Sequence, residues 1–264
     1  MESPRPTLAL VYRDEGADPF VTTCLIDALR PFFGAVSTIS ARTLLDDEGA
    51  LSRAALFALP GGADRPYAEK LNGLGNQRIR QFVEAGGRLL AICAGAYYAC
   101  RRIDFVGADF AVRADRELAL FPGTAVGSMP ELAGPYRVQD LRCAAATPVV
   151  FGDGEVADLL YWGGCRFVAD DGEAGEAVIA RYADLPSPDN VAAVRCQVGR
   201  GTAVLVGVHV EAPGDRFDSE RRTGGYPSPD APGVTATVDR LRASEEQRQA
   251  LWREIMMHLG YPER

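Results

Sequence analysis

The sequence predicts an α/β fold in which a mostly parallel sheet carries an added antiparallel β region. Three observations carry this expectation. Up to residue 93, short apolar runs alternate with segments whose apolar residues recur at helical spacing, the order that builds a parallel sheet. Beyond residue 105, short β-branched runs separated by Gly, Asp and Pro follow one another. The last long segment returns to a helical period.

Each element has its own reason. Residues 7–12, TLALVY, read as a buried strand followed by the turn-rich RDEGADP. In VTTCLIDALRPFF, the residues Val21, Cys24, Leu25, Ala28, Leu29 and Phe32 share one helix face. GAVSTIS gives a second strand. AALFALP gives a third, running into Pro60 and the loop GGADRPY. In NQRIRQFVEAGG, Ile79, Phe82 and Val83 form a helix face that Gly86 and Gly87 terminate. RLLAI, apolar throughout, suits a strand buried on both faces.

From about 107 to 200, YRVQDLRCAAATPVV, EVADLLYW, CRFVA, EAVIARY and NVAAVRCQV read as strands, and TAVLVGVHV continues them. They are expected to extend the same sheet in antiparallel fashion and to add a small layer on it. Residues 212–235, dense in Gly, Pro, Asp and Ser, read as a long surface loop. A final helix spans about 245–259. Ser244 and Gln247 form a capping box, Leu251, Ile255 and Leu259 repeat every four residues, and Gly260 with Pro262 ends it. With neither a Gly/Ser linker nor an internal repeat, residues 1–264 are expected to form one domain.

Composition narrows the function. At 47% apolar and 24% charged residues the chain is ordinarily globular. A net charge of −8 argues against a nucleic-acid groove, and the doublets Arg101-Arg102 and Arg221-Arg222 read as solvated surface. No apolar run approaches the ~20 residues of a membrane helix. MESPRPTLALVYRDEG lacks the basic and apolar regions of a secretory leader. The six cysteines show neither CxxC pairs nor neighbouring histidines, so no metal site is expected and the thiols suit a reduced, cytoplasmic setting. No cofactor is implied.

Candidate chemistry centres on LLAICAGAYYAC. An apolar strand ends at Cys93, with small residues two before (Ala91) and two after (Gly95), and a helix-forming segment follows. That is the recipe for a nucleophile on a sharp strand-to-helix turn, where helix N–H groups favour the thiolate and the Ala94 amide can bind an oxyanion. The alternative is a small buried hydrophobe. In VGVHVE, His209 and Glu211 stand two apart, so on an extended strand a carboxylate can hold one imidazole nitrogen while the other faces a thiol. A solvent-bonded strand-end histidine is the plainer reading. His258, on the last helix, reads as structural or exposed. Gly61 and Gly62 follow a strand and let backbone N–H groups approach a ligand, or form an ordinary turn.

Strand-Gly-Gly, strand-Cys-helix and strand-His-x-Glu in this order resemble the class I glutamine amidotransferase-like superfamily, and GRGTAVLVGVHVE is similar to its His-bearing segment. More narrowly, LPGGADRPY, AICAGAYYA, LYWGG and GVHVE resemble the N-terminal domain of biotin–protein ligases and its free-standing bacterial relatives. The resemblance implies a three-layer, flavodoxin-like sandwich and a Cys-His-Glu triad of Cys93, His209 and Glu211. It implies an oxyanion hole from Ala94, Gly61 and Gly62, and a substrate site shaped by Asp64, Tyr67, Tyr97, Tyr161, Trp162 and Gly163. The expected activity is cysteine hydrolase or amidotransferase-like chemistry on a small amide, ester or thioester. Two departures set limits. Ala91 and Tyr97 stand where glutaminases carry Gly and Gln, which argues against glutamine hydrolysis. VGRGTA is a hairpin turn rather than a biotinyl-adenylate loop, so biotin ligation is not expected. A catalytically inactive binding or regulatory module and a redox-responsive thiol protein remain open, as do a homodimer and a protein partner.

Overall fold

Strand residues alternate between two cores. Along the strand that precedes Cys93, Leu89 and Ala91 face one hydrophobic cluster while Leu90 and Ile92 face the other. In the computed structural model, residues 8–170, 176–186, 188 and 190–262 are described. Thr7, expected to open the first strand, and residues 1–6 of the stretch read for a secretory signal lie outside them.

The first part of the chain alternates as expected. Strands β1 (Leu8–Tyr12), β2 (Ala35–Ile39), β3 (Leu56–Leu59) and β4 (Arg88–Ile92) are separated by helices α1 (Pro19–Leu29), α2 (Ala41–Asp46), α3 (Asp64–Leu71) and α4 (Leu74–Glu84). Asp18 caps α1, its Oδ1 accepting from the amides of Phe20 and Val21 at 3.0 and 3.1 Å. Helix α3 occupies the stretch read as loop after Gly62, with Tyr67 and Leu71 buried on its inner side. Helix α5 (Ala94–Ala99) follows Cys93.

Next come β5 (Cys100–Val106), β6 (Ala111–Asp115), β7 (Phe121–Gly127), the single turn α6 (Pro130–Ala133), and β8 (Ala144–Phe151), β9 (Glu155–Trp162), β10 (Arg166–Ala169), β11 (Glu176–Tyr182), β12 (Val191–Val198) and β13 (Gly201–Val206). The large sheet runs β2-β1-β3-β4-β13-β12-β11-β8-β9. Its β2-to-β13 half is parallel, and the remainder is antiparallel. The added layer is a second sheet, β10-β7-β5-β6, whose Ile103, Phe121 and Phe167 pack into the same core as β4's Leu89.

Three further expectations change. Residues 212–235 are largely helical: α7 (Gly214–Thr223) and α8 (Pro232–Ala243) bury Phe217, Val234, Val238 and Leu241 against β8 and β9. Pro232 at the first turn of α8 favours the helix start that composition obscured. Arg221 is buried rather than solvated, donating to Asp218 Oδ1, Asp230 Oδ1 and the Pro229 carbonyl. Ser244 does not cap α9 (Glu245–His258) through its side chain. Its hydroxyl instead accepts from the Asp158 amide of β9 at 2.8 Å, tying the helix junction to the sheet. The helix ends as expected, with Gly260 at φ 86° and the Tyr261 amide donating to Met256 O. No helix among the described residues is long and apolar enough to cross a membrane.

Candidate active site

Cys93 ends β4 with φ 50° and ψ −110°, a backbone conformation that a residue with a side chain rarely adopts. Its neighbours over-determine that turn. The Cys93 amide donates to Val206 O of β13, and the Gly95 amide donates to Pro60 O beyond β3. A Cβ at Gly95 would lie 2.3 Å from Leu59 O, so α5 can start this close to β3 only with glycine there. Ala91 is fully buried. The Ala94 amide, first in α5, has no intrahelical acceptor.

His209 and Glu211 reach Cys93 by a turn rather than by strand alternation. β13 stops at Val206, and the His209 amide donates to Leu160 O of β9, which pins the segment across the sheet end. Residues 210 and 211 then turn, and His209 Nδ1 meets Glu211 Oε1 at 2.8 Å. Both residues are almost wholly buried, at 3% and 1% exposure. Burial disfavours a charged imidazole, but the Glu211 carboxylate and the adjacent Cys93 sulfur outweigh it and hold His209 well above its usual pKa. Glu211 Oε2 has no hydrogen-bond partner among the described residues, so the imidazole is the carboxylate's bonded partner.

Gly61 shows how tightly these groups meet. A Cβ built there would fall 2.6 Å from His209 Cε1 and 3.4 Å from Cys93 Cβ. Gly61 therefore packs against both side chains, while Gly62 lines the cavity with them. Among the described residues, neither glycine amide donates to a backbone carbonyl.

Cys93 and His209 open into a cavity of about 700 Å³. Asp64, Tyr97, Trp162 and Gly163 line it, as do Ala94 and Gly62. Tyr67 and Tyr161 stand behind the wall instead. Tyr67 is fully buried and donates to Pro60 O at 3.0 Å, bracing the glycine turn. Tyr161 accepts from the Met129 amide and donates to Gly164 O, bracing the Gly163-Gly164 turn. Tyr97 donates to the same Gly164 carbonyl at 2.8 Å, so its hydroxyl is also engaged in structure. His258 is remote, on α9, 3.8 Å from Glu254. A larger depression of about 850 Å³ lies at the opposite strand ends, beside Arg88 and Tyr261.

Sequence reasoning missed much of the wall. Phe105, Phe110, Tyr136, Val138, Asp18 and Tyr226 also line the cavity. The first four come from the second sheet and the segment after it, where no period announced a shared surface. The proline before Tyr136 and the cap position of Asp18 were the available signals. Among the described residues, no group of three or more His, Cys, Asp or Glu side chains is placed to hold a metal ion.

The family model described as "Biotin-protein ligase, N terminal" matches residues 8–262. The chain belongs to this family. An uncharacterized protein of Chlamydia muridarum is 34% identical over 207 residues, covering 76% of this chain and 79% of that protein. The biotin–protein ligase of Schizosaccharomyces pombe is 30% identical over 210 residues, covering 76% of this chain and 33% of the ligase. The match thus spans about a third of that ligase's length. In fold, this family member is similar to a glutamine amidotransferase from Thermotoga maritima (TM-score 0.59, 12% identity, 97% of this chain and 99% of that one). It is also similar to PurLQS from the same organism (TM-score 0.55, 17% identity, 91% and 99%). At such identities the likeness is one of architecture: a large sheet with parallel and antiparallel strands.

Proposed function

We propose that the Cys93 cavity is the site of a cysteine-dependent hydrolase or acyl transferase acting on an amide, ester or thioester. One observation carries this reading: a thiol held on a strained turn beside a buried imidazole that a carboxylate already orients. The Cys93 sulfur attacks the substrate carbonyl carbon, and a C–S bond forms as negative charge moves to the carbonyl oxygen. In this reaction the Ala94 and Gly62 amides serve as the donors to that oxygen. Collapse of the intermediate breaks the C–N, C–O or C–S bond, and the leaving group takes the proton of the His209 imidazolium. Water then gives a proton to His209 and its oxygen to the acyl carbon, which releases the acid and returns the thiol. Tyr97, where glutaminases carry Gln, supports a substrate other than glutamine.

The test is to mix the protein with p-nitrophenyl esters, quench in acid and measure intact mass. The reading expects one acyl group on Cys93, matched by a burst of nitrophenolate and absent from Cys93→Ala. Release at the same rate by wild type and Cys93→Ala, with no adduct, would count against it. A second reading, a binding module that lacks turnover, has its own support: the matched region forms only part of the Schizosaccharomyces pombe ligase.

A further inference from the structure

The wall of the cavity carries two aromatic groups. On one side Phe105 stacks on Phe110 with ring centroids 5.5 Å apart, and Tyr136 meets Phe105 edge-on at 5.5 Å. On another, Trp162 packs against Tyr226 at 5.5 Å. The apolar surface continues outward through Phe110 and Val138, which are 42% and 65% exposed. Burial raises the pKa of Tyr97, Tyr136 and Tyr226, so these phenols face the cavity uncharged.

Charges at the cavity are already committed or are negative. Arg116 donates Nε and an Nη to Asp64 Oδ2 at 2.8 and 2.5 Å, which neutralises the cavity's Asp64. Arg65 pairs with Glu69, and its side chain is 81% exposed. His209 is bonded to Glu211. Asp18, half-buried at the cavity, has no ion-pair partner among the described residues. An entering carboxylate would therefore lose water without gaining a cation that is not already paired, and it would meet the Asp18 charge.

We infer that the cavity admits an uncharged acyl group with an apolar or aromatic body and turns away substrates bearing a free carboxylate, free amino acids included. The inference rests on the proposed reaction at Cys93 and names its substrate class. It separates this site from one built for an α-amino acid, which needs a cation for the carboxylate.

The test uses the full chain and three alkylating probes: iodoacetate, iodoacetamide and N-benzyl iodoacetamide. In each case the Cys93 sulfur forms a C–S bond as iodide leaves. Each rate is divided by that of N-acetylcysteine with the same reagent. The expected order is benzyl reagent first and iodoacetate last, separated by on the order of tenfold. Asp18→Asn, which keeps the cap acceptor of α1 and removes the charge, narrows that separation. Rapid alkylation by all three probes without this order overturns the selectivity but leaves the proposed reaction standing. Alkylation no faster than N-acetylcysteine by any of them overturns both.

Discussion

His209 Nδ1 lies 2.8 Å from Glu211 Oε1, and the two side chains are only 4% and 0% exposed. A two-residue turn, rather than a strand, closes this contact. It sets a buried carboxylate against the imidazole, and the consequences are measurable.

The first concerns pH. In the folded chain His209 is raised well above its ordinary value, because Glu211 and Cys93 together outweigh the opposing effect of burial. An unfolded histidine titrates near ~6.5. The stabilisation is therefore fully present below that pH. It declines as pH rises from there through the folded value, since the native state then holds a proton the unfolded state has lost. The slope is at most about 1.4 kcal/mol per pH unit. Glu211→Gln removes one of the two groups that oppose burial, so this decline should weaken. Urea unfolding of both proteins between about pH 6.5 and 8 should show the wild-type advantage shrinking. A constant difference would contradict a protonated His209.

Gly61 supplies the second. Its backbone is not left-handed, so alanine is conformationally acceptable, yet the new Cβ would stand 2.6 Å from His209 Cε1. The ring must move. Gly61→Ala should lower stability by about 1–3 kcal/mol. The displaced imidazole should slow Cys93 alkylation by roughly ten- to a hundredfold. Alkylation at the wild-type rate would show that the ring does not serve the thiol.

Sheet order supplies the third. β13 lies between β4 and β12, so the strand after Cys93's own is added from residues 201–206. A fragment ending at residue 106 leaves Leu90 and Ile92 without Val204 and Val206 in their shared core. Limited proteolysis should therefore not leave a stable, soluble 1–106 piece. Recovery of one with native-like circular dichroism would contradict a single cooperative unit.

The sequence was most legible where one signal dominated. β1, β3 and β4 are uninterrupted apolar runs, and α1 and α4 carry clear helical faces, so they could be read without knowing their neighbours. The small residues around Cys93 and the His-x-Glu spacing likewise pointed to groups that do meet. Elsewhere, tertiary contacts decide. Helix α7 is strongly polar. It is held by the single buried Phe217 and by Arg221 bridging to Asp218 and Asp230, partners that a local pattern does not reveal. The Gly and Pro content around α8 reads as loop until its Val234, Val238 and Leu241 are seen to cover β8 and β9. The aromatic wall was hidden for a related reason. Phe105 and Phe110 meet Tyr136 across about thirty residues of chain only because β5 and β6 pair and the later segment folds over them. Tyr67 and Tyr161 flank the site in sequence, and their hydroxyls brace backbone carbonyls behind it.

The central claim is that His209 serves the Cys93 thiol. All six cysteines are free and buried, and burial pushes the thiols of Cys24, Cys100, Cys143 and Cys165 upward. The decisive measurement is the iodoacetamide labelling rate of each cysteine near neutral pH, read by peptide mass spectrometry in wild type and in His209→Asn. Cys93 should label first, on the order of tenfold ahead of the others, and should lose most of that lead in His209→Asn while the fold persists. Equal Cys93 labelling in the two proteins would contradict it.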